Sequence, residues 1–73
     1  MRKLSVLKTL LSMVEELRDR VSALVDLVHG VEIDDDFKTL LIDEVGRPME
    51  SALINIEECV KNLRDLVDSV DDQ

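Results

Sequence analysis

Leu7, Leu10, Val14, Leu17, Val21, Leu24 and Val28 recur at alternating spacings of three and four residues. That period keeps one stripe of an α-helix against a partner helix over many turns. The pattern predicts a first helix over about residues 3–29, closed by Gly30 as a left-handed C-terminal cap, with His29 near the last carbonyls. At 1.5 Å per residue such a helix is about 40 Å long. Residues 30–34 form a turn too short to do more than reverse the chain, and Asp34, Asp35 and Asp36 supply the N-cap and acidic first turn of a second helix. The expected topology is an antiparallel helical hairpin.

The second helical stretch spans about 35–70 and contains Gly46-Arg47-Pro48, where the helix either bends or breaks. Ile42, Val45, Met49, Ala52, Ile56, Cys59, Leu63, Leu66 and Val70 keep the 3-4 spacing through the proline, which points to one bent helix. The alternative is a short middle helix over 35–45. Residues 71–73 read as a frayed tail. Val14-Glu-Glu-Leu-Arg-Asp-Arg-Val21 echoes Val60-Lys-Asn-Leu-Arg-Asp-Leu-Val67, an echo that two heptad helices share by chance more readily than by duplication.

With Leu7 at heptad position a, Leu4, Leu11 and Val25 fall at e and Val6, Met13 and Leu27 at g, so the stripe is wider than one neighbouring helix covers. Leu53, Val60 and Val67 widen the second stretch in the same way. Leaving a Leu or Val in water forfeits about 1.5–3 kcal/mol, and half a dozen would exceed the stability of a small domain. The expected solution is an all-α hairpin that dimerises into a four-helix bundle. Its self-association residues are Leu7, Leu10, Val14, Leu17, Val21, Leu24 and Val28 with Ile56, Val60, Leu63 and Val67; Leu40, Leu41 and Ile54, off the main seam, are candidate contacts for another protein.

Composition supports a single helical domain over 1–73. The 73 residues are 45% hydrophobic and 36% charged, with Phe37 the one aromatic. A lone Cys59 allows no internal disulfide, and no Cys/His cluster offers a zinc site, so added burial has to come from a partner subunit. No uncharged apolar run approaches a membrane span. Met1 to Lys8 imitate the basic start of a signal peptide, but Lys8, Glu15 and Glu16 interrupt any apolar core, giving an expectation of a cytoplasmic protein.

Net charge is −8, with +3 on residues 1–8, −4 on 32–36 and −5 on 49–73. Such a surface repels phosphate backbones and anionic lipid, so a protein partner with a basic or neutral surface is expected before nucleic acid or membrane. Acidity also admits an inhibitor that mimics nucleic acid, as mobile-element inhibitors do.

No catalytic set emerges, and neither a cofactor, a metal nor a small-molecule substrate is expected. Cys59 reads as a small core filler and His29 as a cap, at positions that cannot meet, residue 29 being expected opposite about 35. Asp34-Asp35-Asp36 lacks the spacing of a calcium loop. Glu16-Leu-Arg-Asp19 resembles one half of the E-x-x-D magnesium motif of all-α nucleotide pyrophosphohydrolases, and Asp65-Leu-Val-Asp68 a weaker second half. That resemblance implies magnesium-dependent nucleotide turnover, but Arg18 and Arg20 flank the first half and no nucleotide clamp follows. In architecture the hairpin resembles the small plasmid-type RNA-binding hairpin dimers, which would assign Arg2, Lys3 and Lys8, extended by Arg18 and Arg20, to RNA, without stacking aromatics. The leading expectation is a non-enzymatic acidic helical protein that self-associates and binds another protein as regulator, inhibitor, adaptor or small chaperone.

Overall fold

The computed structural model describes residues 2–70; the expected tail at 71–73 lies outside the described residues. Two long helical arms form an all-α hairpin. The first is α1, Lys3–Gly30; the second runs continuously through α2, Asp35–Leu41, a π-helical turn, Ile42–Gly46, and α3, Arg47–Ser69. α1 packs along α3 and against the π-turn, with no comparable packing against α2.

Pro48 has no amide hydrogen, and its ring crowds the carbonyl four residues back. The chain meets this with a wide turn in which the Arg47 amide donates to the Ile42 carbonyl, five residues earlier. The second arm therefore bends without breaking. An Arg47–Asp43 ion pair at 3.4 Å brackets the turn. Gly46 is buried there in ordinary right-handed helical geometry, and a Cβ on it would stand 3.4 Å from Val28 Cγ1, so α1 approaches the turn as closely as the missing side chain allows.

Downstream of the π-turn the row that faces α1 continues at three- and four-residue spacing. Met49, Leu53, Ile56, Val60, Leu63, Val67 and Val70 are buried or half-buried, whereas Cys59 and Leu66 are exposed. The expected inward placement of Cys59 and Leu66 is thus corrected, while Ala52 is half-buried; Cys59 is not a core filler. On α1 the inner row is Leu4, Leu7, Leu11, Val14, Arg18, Val21, Val25 and Val28. Among the described residues the buried apolar side chains are Val21, Val25, Val28 and Val60, and no large side chain is sealed from solvent.

Gly30 also departs from expectation. No described glycine has positive φ, and Gly30 is the last residue of α1, followed by extended Val31. With no atom within 4 Å of its Cβ position, Gly30→Ala is expected to stabilise the protein by about 0.5–1 kcal/mol. Urea unfolding measures this; a loss of stability would restore the left-handed cap.

Asp34 caps α2 as expected, its Oδ2 accepting from the Phe37 amide at 3.0 Å. Extended backbone at Val31 and Asp34 carries the chain past the end of α1 before α2 begins. Residue 29 accordingly stands beside residue 50, not 35, and α2 projects beyond the paired body. The result is a staggered rod of 57 × 15 × 14 Å with a radius of gyration of 16.5 Å, against about 11 Å for a compact chain of this length.

Candidate interaction face

Two ion pairs bridge the arms on one side of the hairpin. Arg64 Nη2 donates to Glu15 Oε2 at 2.7 Å, and His29 Nε2 lies 2.5 Å from Glu50 Oε1. His29 therefore serves the partner helix and not the carbonyls of its own last turn, and the pair is ionic only when the imidazole is protonated. In both pairs the two residue numbers total 79, which fixes the register of α1 on α3. Arg18, Glu57, Lys61, Arg64 and Asp65 line a groove of about 290 Å³ over Val60. This side is charged, and pairs this exposed contribute up to about 1 kcal/mol each.

The other side is different. On α1, Leu10, Met13, Leu17, Arg20, Leu24 and Leu27 form a second 3-4 stripe, rotated from the inner row by about 100° at 3.6 residues per turn. Met13 is 63% and Leu27 70% exposed. On α3, Ala52, Asn55, Cys59, Asn62, Leu66 and Ser69 form a matching stripe, turned from its inner row by the same angle and carrying no charge. Each stripe lies on the flank of its seam away from Glu15 and His29, or from Arg64 and Glu50. Those four residues pair across one side, so both stripes share the opposite side. Across this broad face Arg20 is the sole charged member of either stripe, and it is held to Glu16 by a 2.9 Å hydrogen bond. A groove of about 480 Å³ runs along it, lined by Leu10, Met13, Val14, Glu16, Leu17 and Arg20.

The eleven residues expected to drive self-association divide accordingly. Leu7, Val14, Val21, Val28, Ile56, Val60, Leu63 and Val67 occupy the seam within the hairpin, while Leu10, Leu17 and Leu24 are left on the open face. Met13 and Leu27, read only as flanking positions, belong with these three. The signal was present in the g positions, but nothing in the spacing said which pair of rows faces inward.

A smaller apolar cluster caps the projecting end. Ile33, Phe37 and Leu40 are exposed on α2 and its approach, in a stretch of chain that also carries Glu32, Asp34, Asp35 and Asp36. Leu41 beside them is half-buried. Ile54 is 65% exposed but stands apart, among Glu50, Glu57, Glu58 and Lys61.

The carboxylates of the E-x-x-D pattern are engaged elsewhere: Glu16 with Arg20, and Asp19 with Arg18 at 3.2 Å. Among the described residues no group of three or more His, Cys, Asp or Glu side chains is placed to hold a metal ion. None of their helices is long and apolar enough to cross a membrane.

The chain's accessible surface is 5539 Å², where a compact monomer of its mass exposes about 4,600 Å². Compared with known proteins, the chain matches no family model, no curated protein and no solved structure.

Proposed function

We propose that this chain is a non-enzymatic acidic hairpin that self-associates through its charge-poor face and binds another protein as a regulator, inhibitor, adaptor or small chaperone. The observation that carries the reading is the open face itself. Its five large apolar side chains on α1 are exposed in a heptad stripe a hairpin alone has no means to cover, and contiguous exposed apolar surface of this kind marks association sites. Two hairpins stacked on these faces form a four-helix bundle in which each helix meets neighbours at about a right angle, matching the 100° between its two stripes.

The second partner binds at the projecting tip. Ile33, Phe37 and Leu40 offer exposed apolar anchors in a segment that also carries four carboxylates at residues 32–36, which suits a partner presenting an apolar pocket with basic flanks. Sedimentation of the purified chain tests the first part: a complex of twice the chain mass is expected, and a folded monomer overturns it. The tip is tested with Phe37→Ser/Leu40→Ser. Capture of the partner from the native cell is expected to be lost while helix content and mass stay unchanged; undiminished capture overturns the tip as the contact surface.

A further inference from the structure

We infer that the occupant of the charge-poor face is a second copy of this chain laid antiparallel, α1 on α1 and α3 on α3, about a two-fold axis that crosses the hairpin between Leu17 and Arg20. This arrangement rests on the self-association proposed above and goes further by fixing orientation and register.

Any stripe that alternates threes and fours pairs with a reversed copy of itself. About the midpoint of the α1 stripe, Leu10 meets Leu27, Met13 meets Leu24 and Leu17 meets Arg20. About the midpoint of the α3 stripe, Ala52 meets Ser69, Asn55 meets Leu66 and Cys59 meets Asn62. Self-matching alone says little, but the levels of the two midpoints do not follow from it. The α1 midpoint lies between residues 18 and 19, and the α3 midpoint between 60 and 61. The Glu15–Arg64 and His29–Glu50 pairs set those two levels side by side in the folded hairpin. One axis perpendicular to the rod and lying in the contact plane therefore satisfies both helices at once.

Chemistry selects this axis over one parallel to the rod. The parallel axis would lay α1 on the partner's α3, setting Met13 against Leu66 and Leu27 against Ala52 but Leu17 against Asn62, Leu24 against Asn55 and Leu10 against Ser69, three leucines on polar partners. The perpendicular axis leaves two, Leu17 on Arg20 and Leu66 on Asn55, and sets Leu10 on Leu27 and Met13 on Leu24. It also explains Arg20. Near the axis each Arg20 comes level with Leu17 of the other copy, one residue rise, about 1.5 Å, from that copy's Glu16. The Glu16–Arg20 pair already formed within each chain thus meets its symmetry copy as a four-charge cluster. A heptad slip would instead set Arg20 against Leu10 or Leu24 with no carboxylate level with it, so the cluster specifies the register. Two copies with the compactness of a single protein of their combined mass would bury about 3,500 Å² in total, a size found among obligate homodimers.

The test uses the full chain with Leu10→Cys and Leu27→Cys in a Cys59→Ser background, oxidised and then weighed under denaturing conditions. The two introduced positions are far apart along one helix, so they bond only between copies. A covalent dimer is expected for the pair and none for Leu10→Cys alone. Sedimentation of the same proteins under native conditions separates the outcomes. A native dimer without the cross-link overturns the antiparallel arrangement and leaves self-association standing, whereas a folded monomer overturns both. A second arm needs no cysteine: Arg20→Glu, at an exposed position, is expected to raise the dimer dissociation constant at least tenfold, and Glu16→Arg/Arg20→Glu to restore it. An Arg20→Glu chain that dimerises as well as the parent overturns the charge cluster.

Discussion

Val60→Asp is expected to abolish the helical hairpin, whereas Cys59→Asp, one position away, is expected to leave it folded. Among the described residues Val60 has the most enclosed side chain, at 3% exposure, and it faces α1. A carboxylate there loses its hydration and the packing of a buried valine, at a cost of several kcal/mol that Arg18, Lys61 and Arg64, which line the groove above it, offset only in part. That is comparable with the whole stability of a small domain, here resting on four buried valines among the described residues. Cys59 faces the open side, where a carboxylate stays wet in the single hairpin. Far-UV circular dichroism with urea titration of both variants decides the matter. A folded Val60→Asp would mean that the inner row runs through residues 52, 59 and 66 after all.

Leu17→Asp is expected to separate the two copies while each hairpin remains helical. Leu17 is 49% exposed in the single chain and lies at the centre of the α1 stripe, so the substitution costs the hairpin little. In the proposed pair it removes a buried leucine from each copy, at about 1.5–3 kcal/mol apiece, and sets each carboxylate opposite the other copy's Arg20, an ion pair that offsets up to about 1 kcal/mol. A net loss of about 1–4 kcal/mol corresponds to a dissociation constant raised about 5-fold to 1,000-fold. Sedimentation equilibrium over a concentration series reads it directly. Val21→Asp, four residues on, is the contrast: Val21 is buried in the seam, and that variant unfolds.

These two contrasts mark the boundary between what the sequence made legible and what it did not. The ladder at residues 7–28, the acidic cap at Asp34 and the bend at Pro48 each rest on a local rule, and the helices begin, end and bend within a residue or two of where those rules put them. Gly30 misled because a glycine after a helix suits a left-handed cap, yet here the linker leaves in an extended conformation that any residue adopts. The larger difficulty was rotational. The apolar face of α1 covers two adjacent flanks, so the rows through 7 and 11 and those through 10 and 13 both satisfy heptad spacing. Only α3 packed in place tells them apart. On the second arm the same ambiguity, 52-59-66 against 53-60-67, is likewise decided by packing against α1, which encloses Val60 and leaves Cys59 and Leu66 exposed.

The stagger of the two arms bears on how such a protein is used. Because α2 outruns α1, each hairpin carries its Phe37 tip past the body of the rod. In the antiparallel pair the tips point away from each other at opposite ends, and neither is covered by the other copy. The assembly is then bivalent. Two weak tip contacts on a tethered, clustered or polymeric target add through effective concentration, so the pair serves to bridge partner molecules where a single hairpin only occupies one.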